Sequence, residues 1–92
     1  LYLTTNLNTV VYSVNSFIDT DQIADNNFSL FFNYDKAIET FNTWKSELMN
    51  RIMEEDDAED YEIVVNNENV IRVYNETTDA FYLIDIEKKP VM

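Results

Sequence analysis

Seven of the nine residues from Glu54 to Glu62 are acidic: Glu54, Glu55, Asp56, Asp57, Glu59, Asp60 and Glu62. No cation interrupts them. Carboxylates at this density serve four kinds of chemistry: acid–base catalysis, cation binding, attraction of a basic surface, or plain solvation of a loop. Catalysis is the poorest fit. Paired carboxylates that break a glycosidic bond face each other across a cleft, whereas these crowd together along the chain. Ser13, Ser16, Ser29 and Ser46 have no histidine to activate them, because the chain contains none. No catalytic residue and no enzyme activity is expected. Calcium fits only loosely. The spacing Asp19-x-Asp21-x-x-x-Asp25 begins like an EF-hand loop, but Ala24 stands where the sharp turn requires glycine, and Leu30 where the bidentate glutamate belongs. No metal or cofactor site is therefore assigned, and an acidic calcium-binding module is kept as a third reading.

Attraction of a basic surface draws support from the composition. The 92 residues carry 18 acids against six bases, for a net charge of −12. That charge disfavours nucleic acid and anionic membranes as partners, since both are polyanions. Nothing in the sequence approaches the ~20 apolar residues of a membrane span. With 46% hydrophobic residues, including six Phe, six Tyr and one Trp, the chain has the material for a packed core, unlike a disordered acidic tail. Its length suits a single domain over residues 1–92, burying about 60% of the unfolded surface. Cysteine is absent, and Leu1 to Asn6 carries neither a basic region nor an apolar run of signal-peptide length. Both features lead to the expectation of an intracellular, cytoplasmic protein.

Glycine is absent too, so positions with positive φ must fall to Asn or Asp. The clusters Asn6-Leu7-Asn8, Asn26-Asn27, Asn66-Asn67-Glu68-Asn69 and Asn75 accordingly mark turns. Leu1 to Thr5 reads as a short strand and Thr9 to Ile18 as a longer one, the two pairing as a hairpin. Asp19 to Asn27 reads as a loop. Phe28-Ser29-Leu30-Phe31-Phe32 reads either as a buried strand or as the approach to a helix.

That helix runs from about Tyr34 to Glu54, capped by Asn33 or Asp35. Ala37, Ile38, Phe41, Trp44, Leu48 and Ile52 recur at spacings of three and four and define its apolar stripe, which Met49 and Met53 widen. Glu39, Glu47 and Glu54 lie on the opposite face. The acids that follow oppose the helix dipole, and a place that breaks a local rule is where function is to be sought. Three strands then close the chain: Tyr61 to Asn66 with Tyr61, Ile63 and Val65 on one face, Val70 to Asn75, and Ala80 to Glu87. Lys88-Lys89-Pro90 ends the fold. The expected architecture is α+β: an antiparallel sheet, made of this C-terminal three-stranded meander and an N-terminal strand or hairpin, with one amphipathic helix packed on one face.

A compact chain of this length has a radius of gyration of ~12 Å and a diameter of roughly 30 Å. Duplex DNA carries about 18 phosphate charges over that distance. Twelve net charges gathered on one side would approach this density, so a groove built for phosphates could accept the protein instead.

In its size, Asn-rich and glycine-free composition, order of strands around one helix, and acidic run Glu54–Glu62, the chain resembles the small acidic proteins encoded by phages and mobile elements of AT-rich hosts, notably anti-CRISPR proteins. The resemblance implies a non-enzymatic inhibitor that mimics nucleic acid and occupies the nucleic-acid-binding site of a basic CRISPR effector nuclease. Glu39, Glu47, Glu54, Glu55, Asp56, Asp57, Glu59, Asp60 and Glu62 are the candidate partner-binding residues. The alternative is a structural or assembly protein of a phage or mobile element that self-associates through apolar surface. Monomer and homodimer are both left open.

Overall fold

The structure, a computed structural model, describes residues 10–20, 23–54 and 58–90. Its elements are strand β1 (Val10–Asp19), strand β2 (Ala24–Phe31), helix α1 (Tyr34–Glu54), a single 3-10 turn (Ala58–Asp60), and strands β3 (Tyr61–Asn66), β4 (Val70–Asn75) and β5 (Phe81–Pro90). The five strands form one antiparallel sheet in the order β2-β1-β5-β4-β3. Among the described residues, one α-helix packs on one face of the sheet, an α+β fold. The strand and hairpin expected within Leu1 to Asn8 lie outside the described residues.

The sheet is centred on β1 and β5, which pair from Val10↔Pro90 to Asp19↔Phe81 without a shift. Lys88, Lys89 and Pro90 are thus part of the sheet and do not follow it. Their charged side chains hid a strand whose position is set by its partner. β2 is the other departure. Asp19 ends β1 and the polar segment Ala24–Asn27 belongs to β2, so both ends of the expected loop are strand. Between the two strands the Thr20 amide donates to the Ile23 carbonyl at 2.7 Å, and the Ile23 amide donates to the Thr20 hydroxyl at 3.0 Å. An edge strand needs no buried alternation, so its polar half showed no strand period.

Helix α1 starts where Asn33 Oδ1 accepts the amides of Asp35 (2.7 Å) and Lys36 (3.3 Å), satisfying two first-turn donors. Ala37, Phe41, Leu48 and Ile52 are buried along its stripe, with Ile38, Trp44 and Met49 packed beside them. They meet Val14 of β1, Ile71 and Val73 of β4, and Tyr82 and Ile84 of β5 in one core. Met53 does not join the stripe. It is 72% exposed, turned past the edge of the apolar face.

Asparagine closes the turns. Asn67 Oδ1 accepts the amides of Asn69 and Val70 between β3 and β4. Asn75 is fully buried, and its Oδ1 accepts the amides of Thr77 and Thr78 while its carbonyl accepts that of Asp79. Asp79 takes the left-handed conformation, with φ of 61°, that a chain without glycine must give to Asp or Asn. β3 carries a bulge between Ile63 and Val65. Tyr61 and Ile63 keep the helix side, but Val65 opposes Arg72 and so stands on the other face, not with Tyr61 and Ile63 as its alternation suggested. The chain is elongated, with a radius of gyration of 16.0 Å and extents of 59 × 21 × 17 Å, against the compact body expected.

Phe41 has no exposed surface, so Phe41→Ala is expected to destabilise the fold by about 3–5 kcal/mol. Met53→Ala should stay within about 0.5 kcal/mol. Urea titrations followed by circular dichroism measure both.

Candidate functional site

Residues directly opposed in an antiparallel pair share a face, so the registers place each acid. Glu39, Glu47 and Glu54 are exposed on α1, Glu39 opposite its stripe and Glu47 at the stripe's flank beside Arg51. At 1.5 Å per residue their positions are about 10–12 Å apart along the axis, three times the ~3.4 Å between phosphates on one strand. The helix by itself is too sparse to imitate a nucleic-acid strand. Glu59 and Asp60 are exposed on the 3-10 turn. Glu55, Asp56 and Asp57 lie outside the described residues. Glu62 opposes Tyr74, which opposes Phe81, and all three stand on the sheet face that α1 leaves uncovered. Helix acids and Glu62 therefore point to opposite sides. Spread over the 59 Å long axis, the net charge amounts to about one per 5 Å, against one per ~1.7 Å for duplex DNA. Glu54 stands in the last turn of α1, at the helix's negative pole, and Glu59 and Asp60 follow on the 3-10 turn that contacts the helix; Arg51 is the basic residue of that last turn.

On the sheet face away from α1, carboxylates are held by neutral groups. Asn15 opposes Asp85, and its amide nitrogen donates to Asp85 Oδ1 (2.8 Å) and Glu87 Oε1 (3.0 Å). Its own Oδ1 accepts the Ser13 hydroxyl at 2.7 Å. One side-chain amide thus ties together two acids that would otherwise repel. At the far end of this face the Tyr74 hydroxyl donates to Asp79 Oδ1. That hydrogen bond, with partial desolvation and the negative charges of Asp79 and Glu76, raises the Tyr74 phenol above its ordinary value of 10.0.

The sequence reading missed a cleft of about 460 Å³ between the second half of α1 and the sheet. Its floor is polar because Ser16, Asn27 and Ser29 stand on the helix side where apolar residues would have filled the space. Trp44, Leu48 and Tyr82 wall it, with Glu47 and Arg51 at its lip. The signal was present: Ser16 interrupts the apolar phase of Val10, Tyr12, Val14 and Ile18. Among the described residues no group of three or more His, Cys, Asp or Glu is placed to hold a metal ion, and no helix is long and apolar enough to cross a membrane.

The class this geometry defines is an α+β domain, its described residues forming one α-helix on a five-stranded antiparallel sheet. No protein-family model, no curated protein and no solved structure matches the chain.

Asn15→Asp replaces the bridging amide with a third carboxylate and should destabilise the fold at pH 7 by about 1–3 kcal/mol, more than Asn15→Ala. Urea titrations of the two variants and the wild type at pH 7 read the difference. For Tyr74, the folded state holds its proton longer than the unfolded chain does. Its contribution is intact below the unfolded value of 10.0 and is lost as pH rises through the higher folded value. Stability should therefore fall as pH rises above 10.0, and fall less in Tyr74→Phe.

Proposed function

We propose that this protein is a non-enzymatic inhibitor whose acidic end occupies the nucleic-acid-binding surface of a basic protein. The observation that carries the reading is the coincidence of exposed Glu54, Glu59 and Asp60 with the negative pole of a 21-residue helix. A pole of about half an elementary charge adds to the carboxylates at the place where the sequence runs Glu55-Asp56-Asp57. The partner meets this end, and Glu39 and Glu47 extend the field along one side of α1. Glu62, on the opposite sheet face, contributes little contact. Counterion release and steering drive the encounter, so binding is fast and weakens with salt. The resemblance to anti-CRISPR proteins supports a CRISPR effector nuclease as the basic partner, its guide- or target-binding channel being the surface blocked.

The test is a titration against such an effector, with and without guide RNA and target DNA. A variant carrying Glu54→Gln, Glu55→Gln, Asp56→Asn, Asp57→Asn, Glu59→Gln and Asp60→Asn should lose binding while keeping its circular dichroism spectrum. Glu62→Gln should stay within about twofold of wild type. Wild-type affinity should drop about tenfold or more between roughly 50 and 200 mM salt, and nucleic acid should compete. Undiminished affinity in the six-residue variant, or simultaneous binding of nucleic acid at the same surface, overturns the proposal.

A further inference from the structure

The two edges of the sheet are finished differently. β3 is six residues long, carries the charged Glu62, and has its ladder broken between Ile63 and Val65. Shortness, charge and a bulge are devices that keep an edge from pairing with another chain, even though Ile63 and Val64 are exposed there. β2 lacks the bulge and the shortness, and its one charge, Asp25, lies near its start. Its eight residues pair with β1 in unbroken register, with no bulge, lysine or proline. Every second residue turns its N–H and C=O away from β1, and no described element pairs with that rim. Phe28 and Leu30 stand on the face away from α1, 67% and 57% exposed, and Phe32 just beyond is 77% exposed.

We propose that β2 is a self-association edge, through which two copies of this chain pair antiparallel into one continuous sheet about an axis at Phe28. Charge selects a second copy as the occupant. A basic partner is drawn to carboxylates and gains nothing from a neutral strand, whereas a second copy, itself at −12, is repelled by acidic surface and accepted by a neutral one. From Asn26 to Tyr34 no residue is charged. In the register centred on Phe28, Asn26 of one copy opposes Leu30 of the other, Asn27 opposes Ser29, and Phe28 opposes Phe28. Leu30, Phe28 and their symmetry mates then form one apolar strip. The two Asp25 carboxylates lie six residues apart along the strands, about 20 Å, well beyond the ~8 Å screening length at physiological salt. The helices also clear each other. α1 packs over β5, β1 and β2, and the two β1 strands would be three strand spacings apart, about 14 Å, against the 8–10 Å at which helices touch.

Sedimentation of the full chain over a concentration series, at low and high salt, tests this. A concentration-dependent dimer is expected, and it should tighten as salt rises, because salt screens the repulsion between two acidic copies. Binding to a basic partner changes with salt in the opposite sense, so the two surfaces are separable. Phe28→Lys and Phe28→Glu each place like charges across the axis and should weaken dimerisation by about tenfold or more. Mixing the two folded variants should restore it. A wild type that stays monomeric throughout, dimers that persist in both variants, or variants that fail to recover on mixing each overturn the proposal.

Discussion

The pairing of Val10–Asp19 with Phe81–Pro90 is the contact on which the rest of the molecule depends. It joins the first and last described strands at the centre of the sheet, with β2 hung on one side and β4 and β3 on the other. The stripe of α1 packs against Val14, Tyr82 and Ile84, residues this pairing sets side by side. Closing a loop of this length costs roughly 4 kcal/mol of chain entropy before any contact repays it. Ten matched residue pairs and the helix laid across them offset that cost together, and neither does so without the other. The acids at the negative end of α1 can be tolerated because the helix is held by its buried face and not by its termini.

A chain without glycine has to reverse direction by other means, and here side-chain oxygens take the part. Asn33 opens the helix, Asn67 closes the β3–β4 turn, and Asn75 closes the β4–β5 turn, each accepting two backbone amides. Asn15 takes the place a lysine would fill between two acids, without adding a cation. The twelve Asn against four Lys in the sequence thus acquire a structural meaning. The amides supply local geometry while the surface keeps its negative charge.

How far the fold could be read from the sequence follows from which forces are local. α1 was legible to its ends, because a 3.6-residue period sustained over 21 residues with Asn33 before it has no competing explanation. β1, β4 and the meander were legible from alternation. The N-terminal half of β2 and the last three residues of β5 were not, since Ala24–Asn27 and Lys88–Pro90 are strands only by virtue of their neighbours. The bulge in β3 was hidden because Ile63-Val64-Val65 is apolar in either phase. The acids of the candidate site were legible as residues, but their sides were not. Glu62 is sent to the far face by the register of β3 against β4, a long-range property. The cleft beside Trp44 was missed because what makes it is three small polar residues from two strands, each unremarked alone.

Asn15 also bears on how the molecule ages. Asparagine converts to aspartate when the backbone nitrogen of the next residue attacks its side-chain carbonyl carbon and closes a five-membered imide. The attack is easiest before glycine, whose nitrogen is least encumbered, and no asparagine here precedes one. Ser16, Tyr34, Glu68 and Glu76 follow the four structural asparagines, and at Asn67 and Asn75 the side chain is held toward amides two and three residues on. A protein that entrusts its turns to asparagine would otherwise carry a clock in each of them. The same lack of glycine that makes these residues necessary slows their decay, and at Asn15 it postpones the day when Asp85 and Glu87 face a third carboxylate.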